Sequence, residues 1–201
     1  MLTGWETHAR RGEAIDIDEE MMRLALEIVG KALFSIDLSR EAQKLTQAVL
    51  TALDHIVYKA SHFLALPDSF PTPRNRRFRA ALATLDAAVA ELIESRRGMS
   101  SPPDDLLSML LFARNEDGSP AMTARQVRDE VLTILIAGHE TVASALTWAW
   151  HLLSLHPEAA RRLRQEACAV LGDGAPAPAH LEQLVYTRQV FEETLRLYPP
   201  G

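Results

Sequence analysis

Residues 124–155 most constrain what this chain can become. Thr123-Ala124-Arg125-Gln126 has the form of a capping box, in which the threonine and glutamine side chains satisfy each other's backbone N–H groups at a helix start. Nothing breaks the run before His156-Pro157. The pattern therefore predicts one helix of roughly 45–50 Å, at 1.5 Å of rise per residue. A rod of that length crosses an entire domain, and the rest of a 201-residue chain must pack around it.

Within it, Val131 to Trp150 is long enough to span a bilayer. However, His139, Glu140, Thr141, Ser144 and Thr147 interrupt the apolar run, and a glutamate at mid-bilayer is expensive. A buried core helix is the expectation, with no transmembrane segment in this chain.

The helical period continues on both sides. Asp16-Ile17-Asp18-Glu19 is a start signal for a helix with Met22, Leu24, Ala25, Ile28, Val29 and Phe34 as its apolar face. A second helix is expected after Ser39 as cap, burying Leu45, Val49, Leu53, Ile56, Val57 and Phe63. Pro67, Pro71 and Pro73 impose a loop, and a third helix is predicted from about Arg76 to Arg97. A short helix over Asp104–Arg114 ends in the turn Asn115-Glu116-Asp117-Gly118. Pro157 opens the next helix at its first turn and Gly172 ends it. A Gly/Pro/Ala linker then leads to a last helix over about 181–198, stopped by Pro199-Pro200. With no hairpin signal and no long alternating run, the fold class is mainly α.

Charge and cysteine usage exclude several functions. A net charge of -6 leaves no basic excess to neutralise phosphates, which argues against a nucleic-acid binder. One cysteine forbids an internal disulfide and leans towards a reducing compartment. Met1-Leu2-Thr3-Gly4-Trp5-Glu6 is not a signal peptide, so a soluble, cytoplasmic, bacterial-type protein is the expectation.

The chemistry lies mid-rod, in Ala137-Gly138-His139-Glu140-Thr141. Residues 137, 140, 141 and 144 share one helix face, which is small and polar. Leu132, Leu135, Ile136, Val142 and Leu146 are expected to supply packing nearby. Gly138 costs roughly 1 kcal/mol against alanine in a helix interior. In exchange it removes bulk where a flat ligand could approach the backbone. A carboxylate and a hydroxyl beside such a notch are suited to relaying protons. The plainer alternative is a glycine-tolerant buried helix whose Glu140 pairs with an arginine elsewhere. A zinc site at His139 and Glu140 is disfavoured, because the second histidine such a site needs is replaced by Ala143. In the last helix, Glu193 and Arg196 are three apart and can form an ion pair, with Leu195, Leu197 and Tyr198 expected to crowd it with apolar surface.

Together, Ala137-Gly138-His139-Glu140-Thr141 and Glu193-Thr194-Leu195-Arg196-Leu197-Tyr198-Pro199-Pro200 resemble the cytochrome P450 family of haem-thiolate monooxygenases. The first matches its small-Gly-x-acid-Thr oxygen-binding helix, the second its Glu-x-x-Arg helix. The resemblance extends over most of the chain. Ala25–Phe34 looks like the helix before the substrate lid, and Arg40–Arg97 like the lid pair. It implies one partial domain over 1–201, the helical core of that fold with its sheet regions missing. Ala137 and Gly138 would lie over haem b. Glu140 and Thr141 would organise proton delivery, while Glu193 and Arg196 would act structurally. Thr133 and Ile134 would be candidates for substrate contact. The implied reaction inserts one atom of O2 into an apolar organic substrate. Its electrons come from NAD(P)H through a redox partner, either a ferredoxin or a flavoprotein reductase.

This sequence departs from that pattern at the proximal side. A Phe-x-x-Gly-x-Arg-x-Cys-x-Gly loop would follow the last helix, and Gly201 comes before it. Cys168, in mid-helix without loop glycines, is expected to be packed and inert rather than an axial ligand. Trp5 is followed four residues on by Ala9, where the family's haem-propionate helix has arginine. The expectation is therefore an internal fragment, inactive by itself. The competing reading is a non-enzymatic all-α ligand-binding or dimerisation domain. Three weaker features remain. Arg74, Arg76, Arg77 and Arg79 form a basic cluster expected at a solvated helix start. Phe63, Leu64, Leu66 and Phe70 are expected in core packing or, alternatively, in a lid. His55, His62, His151, His156 and His180 lack metal-ligand spacing.

Overall fold

A computed structural model describes residues 2–38, 42–62, 66–172 and 174–200. Among them the backbone forms eight α-helices: α1 Leu2–Arg11, α2 Ile17–Phe34, α3 Ala42–Ser61, α4 Pro73–Arg97, α5 Leu106–Phe112, α6 Ala124–Leu155, α7 Pro157–Leu171 and α8 Val185–Leu197. A 3₁₀ turn covers Pro178–His180. No strand occurs among the described residues; a lone antiparallel bridge joins Arg114 to Pro120 around the Asn115–Gly118 turn. The mainly α expectation holds.

The helix starts follow local chemistry. Asp16 Oδ1 accepts from the N–H groups of Asp18 and Glu19 at the head of α2. The capping box of α6 forms as predicted: Thr123 N–H donates to Gln126 Oε1 at 2.9 Å, and Gln126 N–H to Thr123 Oγ1 at 3.3 Å. α4 starts three residues earlier than expected, because Thr72 Oγ1 accepts from Asn75 N–H and Pro73 occupies the first helical position, where its missing donor is harmless. α8 starts later than expected, at Val185, because residues 181–183 form a turn in which the Gln183 and Leu184 N–H groups donate to the His180 carbonyl. Ser39, Phe63 and Leu64 lie outside the described residues.

The chain divides into two compact units. In the unit Arg23–His139, Leu26, Val29, Phe34, Leu45, Val49, Leu85, Val89, Leu107, Val131 and Leu135 form the core. Ile28, Ile56 and Val57 were expected on inward faces and are exposed. Three to four apolar positions per two turns outline a wide stripe, and neighbouring elements select which part of it is covered. Arg96 is 1% exposed and donates to Asp105, to Ser108 Oγ at 2.7 Å and to the Phe34 carbonyl at 2.6 Å. Asp105 also caps α5 by accepting from Ser108 N–H. One buried cation thus ties together α2, α4 and α5.

In the unit formed by Met1–Met22 and Glu140–Gly201, Trp5 Nε1 donates to Glu20 and its ring meets Trp150 edge-on at 5.7 Å. Thr147 donates to Asp18. Glu166 of α7 accepts from the backbone N–H groups of Tyr186 and Thr187 at 2.7 and 2.8 Å, and from the Thr187 hydroxyl. It acts as a cap supplied from a neighbouring helix, satisfying first-turn donors of α8 that have no partner within their own helix. Desolvation works to raise the Glu166 pKa, but these hydrogen bonds outweigh it and hold the carboxyl below its ordinary value. Glu166→Ala is expected to speed amide exchange at Tyr186 and Thr187 roughly 10-fold. In the parent chain that protection should be full above the ordinary carboxylate pKa and fade as pH falls below it. Hydrogen exchange at pH 5 and pH 3 checks both statements.

Candidate active site

α6 carries the central run on an uninterrupted helix, so the placement of each side chain follows from its 3.6-residue period. Thr133, Ala137 and Thr141 are one turn apart and all exposed, flanked by half-buried Glu140 and Ser144. Val131, Leu135 and His139, on the opposite side, are buried. The small polar face read from the sequence is thus the open face of the helix. Only a third of the most apolar stretch of α6 is buried, so the core helix expected from the sequence is covered along a single side among the described residues. By length and composition alone α6 would be long enough to cross a membrane. Val142, expected to pack, is 41% exposed.

Gly138 has a different surrounding from the one inferred. A Cβ built there would come within 3.3 Å of Val29 Cγ2. The space left by the missing side chain is taken up by α2, and the glycine lets the two helices approach closely. Only a three-dimensional neighbour reveals this. Glu140 makes no ion pair among the described residues. Thr133 donates to the Asp129 carbonyl at 2.8 Å, and Ile134 is half-buried.

His139 is the residue the sequence reading undervalued. It is wholly buried, with Nδ1 2.7 Å from the Leu135 carbonyl. A carbonyl only accepts, so Nδ1 carries the proton, and Nε2 is left buried without a partner. His139 and Glu140 project about 100° apart around the helix, too divergent for one ion. Among the described residues no group of three or more His, Cys, Asp or Glu side chains could hold a metal ion.

On α8, Arg196 Nε and Nη2 donate to the two Glu193 oxygens at 2.7 and 2.6 Å, a bidentate pair. The Arg196 guanidinium holds the Glu193 carboxyl below its usual range, and Glu193 in turn raises Arg196. Both side chains are exposed, as are Leu197 and Tyr198, so the apolar crowding expected around the pair is absent. Tyr198 instead stacks on Trp148 of α6 at 4.0 Å, a contact with no sequence-local signal.

On the open side of α6, Thr133, Ala137 and Thr141 follow one another along the helix, with half-buried Glu140 and Ser144 beside them. Cys168 is exposed on α7, not packed as expected.

Cyclooctatin synthase of Streptomyces melanosporofaciens is 38% identical over 201 residues, covering 99% of this chain and 43% of that protein. Pentalenene oxygenase of Streptomyces avermitilis is 39% identical over 194 residues, covering 94% and 42%. The bifunctional cytochrome P450/NADPH–P450 reductase 2 of Bacillus subtilis is 31% identical, covering 93% of this chain and 18% of that protein. The chain spans about two fifths of the length of the two Streptomyces relatives. The Cytochrome P450 family profile matches residues 1–201, taking in both the α6 run and the Glu193–Arg196 helix. With no part of the sequence left outside that match, this chain belongs to the cytochrome P450 family.

Proposed function

We propose that this chain provides the distal helix and the Glu-x-x-Arg helix of a haem-dependent monooxygenase that hydroxylates an apolar organic substrate. The observation that carries the reading is the open face of α6, with Thr133, Ala137 and Thr141 exposed in line and Glu140 at its edge. Relatives named as oxygenases and monooxygenases support the reaction class. A relative named as a P450 fused to an NADPH–P450 reductase supports delivery of electrons by a redox partner. We take that partner to be a ferredoxin or a flavoprotein reductase drawing on NAD(P)H.

Haem, when bound, supplies the binding and activation of dioxygen. Ala137, on the open face, would limit how closely the group approaches α6, whereas Gly138 faces α2. Thr141 offers a hydroxyl that both accepts and donates a proton, and Glu140 one turn-edge away can replenish it. Thr133 and Ile134 lie one turn N-terminal, where a substrate would meet the same face. Glu193 and Arg196 keep each other charged and oriented on α8, a structural role.

Two measurements test this. The 201-residue chain mixed with haem, reduced and exposed to CO is expected to lack a thiolate-type Soret band, because its one cysteine sits exposed in the last turn of a helix. A polypeptide containing this stretch together with a proximal cysteine loop, supplied with a reductase and 18O2, should place one labelled atom in the product. Binding of an apolar ligand with no label transferred would instead favour the ligand-binding domain.

A further inference from the structure

The turn between α5 and α6 carries Asp117-Gly118, a dipeptide that the oxygenase reading does not use. An aspartyl-glycine pair is set up for a reaction with its own backbone. The Gly118 nitrogen attacks Cγ of a neutral Asp117 carboxyl. An N–Cγ bond forms, a C–O bond breaks, and the hydroxyl leaves as water with the amide proton. Solvent water then opens the five-membered imide. Cleavage at Cγ returns aspartate, whereas cleavage at the main-chain carbonyl leaves isoaspartate, with the backbone running through the side chain. Gly118 has no Cβ to hinder the attack, and its surroundings are open: a Cβ built there would meet nothing within 4 Å. Both residues are exposed, so water reaches them.

In the folded turn both reacting groups are tied down. The Gly118 N–H donates to the Asn115 carbonyl at 3.0 Å, and the Asn115 N–H donates to the Ser119 carbonyl at 2.9 Å. Gly118 is held at a φ of 80°, in the left-handed region. Asp117 Oδ1 accepts from the Ser119 N–H at 2.9 Å and from the Ser119 hydroxyl at 2.6 Å. Asn115 Nδ2 in turn donates to the same hydroxyl oxygen at 3.0 Å, which fixes its direction. The Ser119 hydroxyl, followed by the Ser119 N–H, holds the Asp117 carboxyl below its usual pKa. An ionised carboxylate is a poor electrophile, because it has no neutral hydroxyl to release. Ser119 therefore opposes the reaction twice, by fixing the side-chain torsion and by keeping the charge.

We propose that Asp117 is a site of spontaneous isomerisation to isoaspartate that the Ser119 hydroxyl latches shut while the turn is formed. The product would lengthen the backbone by one carbon inside the turn closed by the Arg114–Pro120 bridge, just ahead of the Thr123 cap of α6. The site stands whether or not α6 serves oxygen chemistry.

The test holds the full chain at about pH 5, above the ordinary carboxylate pKa, in buffer and in denaturing guanidinium chloride. Isoaspartate at residue 117 is followed by peptide mapping with isoaspartate-specific methylation. The folded parent is expected to react at least about tenfold more slowly than the unfolded chain. Folded Ser119→Ala should react about tenfold faster than the folded parent, with amide protection along α6 unchanged. Ser119→Thr, which keeps a hydroxyl, should stay close to the parent, and all three chains should react alike in guanidinium. Equal rates for the folded and unfolded parent overturn the proposal, as does a Ser119→Ala chain no faster than the parent. Ser119→Thr as fast as Ser119→Ala, or acceleration that comes only with lost α6 protection, removes the hydroxyl as the latch and overturns it too.

Discussion

Replacing Arg96 with alanine is expected to destabilise the unit Arg23–His139 by about 3–5 kcal/mol, the usual range when one member of a buried pair is removed. Asp105, with its side chain 4% exposed, would keep a charge and lose its counterion. Ser108 and the Phe34 carbonyl would each lose a donor. Against a total stability of roughly 5–15 kcal/mol for a domain, the loss is large. Arg96→Met combined with Asp105→Leu should recover part of it, because two well-packed apolar side chains need no partner. Recovery will be incomplete, since Asp105 also caps α5. Urea unfolding of the parent and both variants gives the comparison. A single-variant loss below about 1 kcal/mol would remove Arg96 as the tie between α2, α4 and α5.

The same pair sets an acid limit. Burial acts to raise the Asp105 pKa, but hydrogen bonds from Arg96 and Ser108 prevail and bring it down to about 2. The unfolded chain therefore takes up its proton first as pH falls, near the ordinary carboxylate value of about 3.9. Asp105 contributes its full stabilisation above about pH 4 and loses it as pH drops through about 2, an effect of about 2–3 kcal/mol at most. In Asp105→Asn this component of the pH dependence should vanish.

The second large effect tests the proposed monooxygenase role, by turnover of a haem-loaded polypeptide that contains this stretch and a proximal cysteine loop. Thr141→Ala is expected to lower product formed per NAD(P)H consumed by about 10–100-fold, the scale of a lost positioned proton donor. Glu140→Gln should slow turnover by a similar factor and, on the proposed reading that places it at the edge of the face, leave substrate affinity unchanged. The absorption band of the reduced CO adduct should persist in both, which separates proton delivery from loss of the haem. Coupling equal to the parent in Thr141→Ala would end the role assigned to that hydroxyl.

α6 illustrates what could be read early and what could not. Its capping box at Thr123 and Gln126 and its stop at His156-Pro157 are interactions among residues a few positions apart, so they survive any tertiary arrangement. The line of Thr133, Ala137 and Thr141 is equally local, being fixed by the helical period. The companion of Gly138 was not legible, because nothing near position 138 specifies that Val29 will lie against it. Arg96 gave no warning either: it stands in Glu94-Ser95-Arg96-Arg97, which reads as a solvated helix end.

By itself, the sequence determined the helical elements, most of their caps, the spacing of acid and hydroxyl on the longest helix and, through those motifs, the family. Each rests on contacts within about four residues, where geometry is set by the backbone. Tertiary structure alone decided that Ile28, Ile56, Val57 and Cys168 face outward while Arg96 and His139 face in, and that Glu166 caps a helix not its own. Burial is a property of whichever surfaces meet, and those partners are distant along the chain.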